Sequence, residues 1–298
     1  MKRYAIGIDI GGTNIRISIV DEDGNMFETI KESTNAKTSD DLIDQIESLI
    51  DKVDYQKYNV CGIGIGIPGP VNSDNVVMYL PNLNISKPFD LTKRLNDKYH
   101  LPIYVGNDAN VAGLAEAYAG SGKGYDVVQY LTISTGIGGG LIINKKMIVG
   151  KTGQAQEVGS MVVNIGGRAP SPYKPKGCIE GEASGRSLFA KSKEAGLNIE
   201  HTAEIFKLAS ENNQIAKKIV DDFIEYMAAF ISSIECYIEP DVFVLGGGVM
   251  KSKEYFLDRL ISRIDDYVYD SLKGKIIIKC AKFGQDCGII GAAMQCYN

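Results

Sequence analysis

Histidine is nearly absent from this sequence: His100 and His201 are the only two among 298 residues, and both stand in polar company. A catalytic centre built on histidine is therefore not expected. The six cysteines (Cys61, Cys178, Cys236, Cys280, Cys287 and Cys296) include no C-x-x-C or other close pair. Neither a disulfide framework nor a metal knuckle can be read from that spacing, and reduced thiols are expected. Positive charge is in deficit too. The 32 Lys and Arg against 37 Asp and Glu leave a net charge of −5, which argues against a sequence-independent grip on nucleic acid or anionic lipid. No apolar run reaches the ~18 residues needed to span a bilayer. Met1-Lys2-Arg3-Tyr4 runs straight into an alternating apolar stretch, without the core of a signal peptide. The expectation is a cytoplasmic protein whose partners are small molecules, with no nucleic acid and no membrane among them.

What is present is ordinary for a globular chain: 44% hydrophobic and 23% charged residues, enough to bury a core and exclude wholesale disorder. At roughly 150 residues per domain, two domains are expected. Residues 4–10, 15–20 and 26–30 read as strands, with Asp23-Gly24 as the hairpin turn between the last two. Residues 40–53 carry apolar side chains at helical spacing, and 60–67 return to a strand that stops at Pro68-Gly69-Pro70. A similar order begins again with strands at 127–134, 140–143 and 147–149. Residues 150–182 show little periodicity and read as an insertion or active-site loop. Helices at 183–195, 202–210 and 213–237, a buried strand at 241–245, a helix at 252–270, a strand at 276–279 and a helix at 287–296 complete the chain. Strands alternating with helices imply α/β architecture with mixed sheets. Two related halves imply a ligand cleft between them.

Four motifs could carry chemistry. Asp9-Ile10-Gly11-Gly12-Thr13-Asn14 closes the first strand and is followed by another strand. That context excludes the dinucleotide fingerprint and the Walker loop, which both lead into a helix. A hairpin whose backbone N–H groups approach an anion remains, with Asp9 to hold a hydrated metal cation; a mere tight turn is the alternative. Thr135-Gly136-Ile137-Gly138-Gly139-Gly140 takes the corresponding place in the second half, and Gly246-Gly247-Gly248 follows a buried strand. Asn107-Asp108-Ala109-Asn110 opens a helix over 111–119 after a short strand at 103–105. Asp108 there is either a helix cap or a general base that takes the proton of a substrate hydroxyl.

Together with Pro68-Gly69, Pro81-Asn82-Leu83, Glu157-Val158-Gly159, Gly177-Cys178-Ile179-Glu180 and Gly246-Gly247-Gly248-Val249, these motifs resemble, in order and spacing, those of the ROK family of repressors, open reading frames and sugar kinases. The resemblance runs from about residue 4 to residue 295. It implies an α/β fold of two ribonuclease-H-like halves of the actin/hexokinase-like ATPase type with a cleft between them. The halves would be a small N-terminal domain over 1–119, completed by the C-terminal helix 286–298, and a larger domain over 120–285. It also implies a homodimer that phosphorylates a sugar with ATP and magnesium. Asp108 would then be the catalytic base, and Asn82, Asn107, Glu157 and Glu180 would hydrogen-bond the sugar. The Gly11, Gly12, Thr13, Asn14 hairpin and the Thr135, Gly136, Gly138 hairpin would hold the phosphates, Gly246, Gly247 and Gly248 would lie near the adenosine, and Asp9 would hold magnesium indirectly. Carboxylate and amide side chains suit a neutral polyol, whose hydroxyls both donate and accept.

The chain departs from the family at one place. Where the family has E-x-G-H followed by three cysteines that bind zinc with the histidine, this sequence has Glu157-Val158-Gly159-Ser160 and then Ser171, Tyr173 and Cys178. One thiolate of four ligands cannot make a tetrahedral site, so no zinc is expected. Ser160, shorter than the family's histidine, leaves the sugar pocket either roomier beside C1 and C2 or holding a water where the imidazole stood, unless a side chain from the 161–176 loop refills the gap. The expected activity is ATP-dependent phosphorylation of a hexose or N-acetylhexosamine at its 6-hydroxyl, of glucokinase or N-acetylmannosamine kinase type. A non-catalytic sugar sensor and a kinase for a β-glucoside or fructose are the alternatives. A transcription repressor is disfavoured because the chain starts directly with a strand, and an actin-like assembly protein because a sugar-binding set is present.

Overall fold

The computed structural model describes residues 2–297. Its elements run β1 (Tyr4–Ile10), β2 (Asn14–Asp21), β3 (Met26–Ser33), α1 (Ser39–Ile50), β4 (Val60–Ile67), α2 (Thr92–Tyr99), β5 (Ile103–Asn107) and α3 (Asp108–Ala119). Then follow β6 (Val127–Ile133), β7 (Ile137–Ile143), β8 (Lys146–Met147), α4 (Ile179–Ala183), α5 (Gly185–Glu194), α6 (Ala203–Ser210), α7 (Gln214–Ile238), β9 (Val242–Gly246), α8 (Leu257–Ile264), β10 (Ile278–Cys280) and α9 (Cys287–Met294). The strands make two five-stranded sheets, ordered β3-β2-β1-β4-β5 and β10-β9-β6-β7-β8. In the first, β1, β2 and β3 are antiparallel neighbours, while β4 and β5 join in parallel beyond β1.

Two compact units share the chain. One comprises the residues up to Tyr130, Gly140–Gln156 and those from Ala281 onward; the other comprises Leu131–Gly139 and Glu157–Cys280. In the first unit, Leu42, Ile43, Ile46, Leu49 and Ile50 of α1 bury themselves with the isoleucines of β1, β2 and β4. Helix α9 packs against the same sheet, and two glycines make that contact possible. A Cβ on Gly7 would come 2.2 Å from the Ile289 carbonyl oxygen, and one on Gly64 would come 1.7 Å from that of Ala292. Helix backbone therefore rests directly on strand backbone, and any side chain at either position would push it off.

The second unit is built around α7. Asn213 starts this helix by accepting the N–H groups of Ile215 and Ala216, and Glu239, in the left-handed region at φ 52°, ends it just before Pro240. Its buried face packs with Leu131, Ile133, Phe243 and Leu245 of the sheet. Phe223 of α7 also meets Phe206 and Phe256, with ring centroids 5.1 to 5.6 Å apart.

Three elements differ from the expectations. The stretch read as a loop up to 182 ends in the short helix α4, and the helix expected over 183–195 is α5, which Ser184, in extended backbone, caps by accepting the Ser187 N–H. The helix expected over 252–270 is a 3-10 stretch at Gly248–Tyr255, then α8, then a 3-10 turn at Asp265–Tyr267. Phe256, at φ −139°, breaks the helical path between the first two, and its ring is buried in the aromatic cluster. Helix α2 was not expected. Only Leu95 of its eight residues is buried, so it has no apolar stripe to read.

Candidate active site

In the first unit the Asp9–Asn14 motif forms the turn between β1 and β2. The turn is closed by the Gly11 N–H donating to the Asn14 carbonyl at 2.8 Å, and it is braced by the Thr34 N–H on the Thr13 carbonyl at 2.9 Å. Gly12 and Thr13 at its tip are exposed. Asn82, also exposed, stands beside that tip, with its Cβ 3.0 Å from where a Gly12 Cβ would lie. An open groove of about 590 Å³ runs along Gly12, Thr34, Lys37, Asn82 and Asn84. Exposed backbone at a hairpin tip, with amides and one ammonium nearby, offers N–H donors of the kind that anionic oxygens and hydroxyls accept from.

Asp9 is paired. Its Oδ2 lies 2.6 Å from Arg16 Nη2, and Arg16 Nη1 lies 3.2 Å from Asp286 Oδ1. Two carboxylates around one guanidinium leave a net charge of −1, and carboxylate oxygen is the donor type that a hydrated magnesium ion meets through its waters.

At the end of β5, Asn107 and Asp108 both meet the first turn of α3. Asn107 is the N-cap of α3: its Oδ1 accepts the Ala109 N–H at 3.0 Å and the Asn110 N–H at 3.3 Å. Its Nδ2 donates to the Gly69 carbonyl at 3.4 Å. Asp108, the first helical residue, is exposed and its Oδ1 accepts the Ala109 N–H at 2.8 Å. A carboxylate at a helix N-terminus is favoured as the anion.

In the second unit the Thr135–Gly138 turn, the 3-10 turn Val158–Ser160 and the start of α4 come together. Glu180 Oε2 accepts the Ile137 N–H at 3.0 Å, so closely that a Cβ on Gly136 would fall 2.6 Å from it. A Cβ on Gly159 would fall 2.1 Å from the Ile137 carbonyl oxygen and 3.4 Å from Glu180 Oε2, which seats Gly159 against the same turn. Ser160 is half-buried and Glu157 exposed. Gly247, at φ 92°, crosses the Ile133 backbone, and Gly248 lies against Ser134. The Gly246–Gly248 triplet and the Thr135 turn are thus neighbours.

Three charged residues of these surroundings were not singled out from the sequence. Arg16 is one, and Lys174, whose Nζ lies 3.0 Å from Glu180 Oε2, is another. The third is Glu182, 2% exposed. It accepts the Arg168 N–H at 2.7 Å, Asn164 Nδ2 at 3.2 Å and Lys191 Nζ at 2.9 Å. Burial pushes its carboxyl up, but these hydrogen bonds and the Lys191 charge outweigh it and hold the group below the usual glutamate value. Nothing local in the sequence marks the Lys174 and Glu182 contacts, because their partners are 6 to 18 residues apart. At the family's zinc positions Tyr173 is 95% exposed while Cys178 is fully buried. Two serines, a phenol and one thiol do not fit a tetrahedral zinc centre.

Comparison with known proteins agrees with this architecture. The profile of the ROK family matches residues 5–297. The chain is 28% identical to the glucokinase of Halalkalibacterium halodurans, over 97% of this chain and 93% of that one. It is equally 28% identical to the xylose repressor of Bacillus subtilis, over 97% of this chain but 75% of the repressor. Among solved structures, the ROK hexokinase of Thermus thermophilus superposes with a TM-score of 0.88 at 28% identity, covering 100% of this chain and 98% of that one. The ROK family glucokinase of Streptomyces griseus, solved in complex with glucose and AMPPNP, gives a TM-score of 0.76 at 28% identity over 97% and 98% of the two chains.

Proposed function

The chain belongs to the ROK family, and from that premise we propose that it is an ATP-dependent sugar kinase acting on the 6-hydroxyl of a hexose or N-acetylhexosamine. The observation that carries the reading is the division of labour at the start of α3. Asn107 caps the helix through the Ala109 and Asn110 N–H groups, and Asp108, its first residue, is an exposed carboxylate that shares the Ala109 N–H. In the proposed reaction the sugar O6 forms a bond to the γ-phosphorus, the bond from that phosphorus to the β–γ bridging oxygen breaks, ADP leaves, and Asp108 receives the O6 proton. Asn82, Asn107, Glu157, Ser160 and Glu180 orient the sugar. Backbone N–H groups of the Gly11–Asn14 and Thr135–Gly138 turns receive the phosphates, and Gly246–Gly248 receive the adenosine. Magnesium, when bound, would be held through Asp9 and would supply charge neutralisation to the phosphates. The relative solved with glucose and AMPPNP supports both ligand classes. Homodimerisation belongs to the same proposal.

A second reading has its own support, since the xylose repressor is as similar as the glucokinase. On that reading the chain binds sugar without transferring phosphate. A coupled ADP-release assay over hexoses, 2-acetamido hexoses, fructose and β-glucosides separates the two. Sugar-dependent turnover that Asp108→Asn abolishes supports the kinase, whereas sugar binding without any turnover supports the sensor.

A further inference from the structure

From the Lys174–Glu180 pair we infer that Lys174 is a specificity-determining residue of the sugar site, donating to a substituent that can only accept hydrogen bonds. The inference rests on the sugar-kinase reading, in which Glu180 binds a sugar hydroxyl. Glu180 Oε2 is already used twice, by the Ile137 N–H at 3.0 Å and by Lys174 Nζ at 3.0 Å. Neither bond uses Oε1, the oxygen left to accept from a ligand hydroxyl. An ammonium has three N–H donors and no acceptor. One donor of Lys174 is directed at Glu180, so the remaining two favour an acceptor on the atom next to that hydroxyl.

The surroundings make this a built arrangement. The Lys174 side chain is 25% exposed and that of Glu180 17% exposed. The loop carrying Lys174 is anchored on both sides. The Val163 and Asn164 N–H groups donate to the Gly177 carbonyl at 2.9 and 3.0 Å, and the Gly177 N–H donates to the Arg168 carbonyl at 2.7 Å. The Lys174 N–H donates to the Ser171 carbonyl at 3.3 Å. Lys174 therefore belongs to the 161–176 loop, and it brings a charged donor to the carboxylate that lies against Gly159, the residue before Ser160. A hydroxyl satisfies such a donor only by turning its own hydrogen elsewhere. A carbonyl oxygen of an acetamido group, or a carboxylate, meets it without that constraint and gains from the charge. The pair thus selects sugars with an acceptor-only group beside the hydroxyl that Glu180 holds.

The test is calorimetric titration with glucose, N-acetylmannosamine and N-acetylglucosamine, without nucleotide, on the wild-type protein and on Lys174→Ala, Lys174→Gln and Lys176→Ala. Circular dichroism and melting temperature verify folding. Loss of a charge-assisted hydrogen bond predicts about 10-fold or more weaker binding of an acetamido sugar to Lys174→Ala, with glucose changed by less than about 3-fold. Lys174→Gln, a neutral donor, is expected to fall between. Lys176→Ala, exposed and two residues away, is expected to bind as wild type. In turnover the same loss is expected in KM rather than kcat. Equal weakening of all three sugars, or no change, overturns the role of Lys174 while leaving the kinase reading intact. Wild-type protein that binds none of the three overturns the sugar-site reading and the Lys174 role with it.

Discussion

Asp9 and Arg16 face each other across the β1–β2 hairpin as register partners, and their side chains close on one another at 2.6 Å with only 20% of each exposed. The guanidinium goes on to Asp286 at 3.2 Å, so one arginine ties the start of the Gly11–Asn14 turn to the segment leading into α9. Position and charge at the turn are set together.

Arg16→Ala removes the cation that bridges those two carboxylates and is expected to lower stability by about 1–3 kcal/mol, because the charges it leaves are partly buried. Urea unfolding of the variant checks this. A loss under about 0.5 kcal/mol would show that the pair is no more than an ordinary surface ion pair.

Asp108 and Asn107 should separate cleanly. Asp108→Asn is expected to lower kcat by at least ~10²-fold with little change in melting temperature. Asn107→Ala is expected to cost about 1 kcal/mol of stability through loss of the cap. Steady-state kinetics and thermal melts of the two variants read both. Normal turnover by Asp108→Asn would remove it from the chemistry.

Metal analysis of the purified protein is expected to find zinc well below one per chain, and a chelator is expected to leave its melting unchanged. The donor types at Ser160, Ser171, Tyr173 and Cys178 carry this prediction. One tightly held zinc per chain would show that other ligands had been recruited.

Glu182 makes the 161–178 loop acid-sensitive. Its folded-state pKa lies below the ordinary glutamate value, so the unfolded chain takes up the proton first. The stabilisation it provides is present above the unfolded value of about 4.3 and is lost as pH falls through the lower folded value. Glu182→Gln is therefore expected to be less stable than wild type at pH 7, with the gap narrowing below about pH 4. Limited proteolysis of the loop and thermal melts across that range test it. A gap that does not change with pH would place the effect in packing instead of charge.

Much of the architecture was legible in the sequence because it is local. Alternating isoleucines and an Asp-Gly turn specify the hairpins of β1 to β3, and the apolar spacing of Leu42 to Ile50 specifies α1. The 25-residue α7 is framed by Asn213 and by Pro240. The glycine turns and the Asn107-Asp108 pair were also visible, since their chemistry depends on neighbours in the chain. Where local signals were weak or misleading, the reading failed. Helix α2 has no apolar stripe, and the breaks at Ser184 and Phe256 come from a side-chain cap and a buried ring. What only the tertiary structure decided are contacts between distant residues: Glu180 on the Ile137 N–H, 43 positions away, Arg16 on Asp286, 270 positions away, and Glu182 on its loop. Which carboxylate an arginine, a lysine or a backbone N–H meets depends on how packed elements bring them within hydrogen-bonding distance, and no periodicity encodes that meeting.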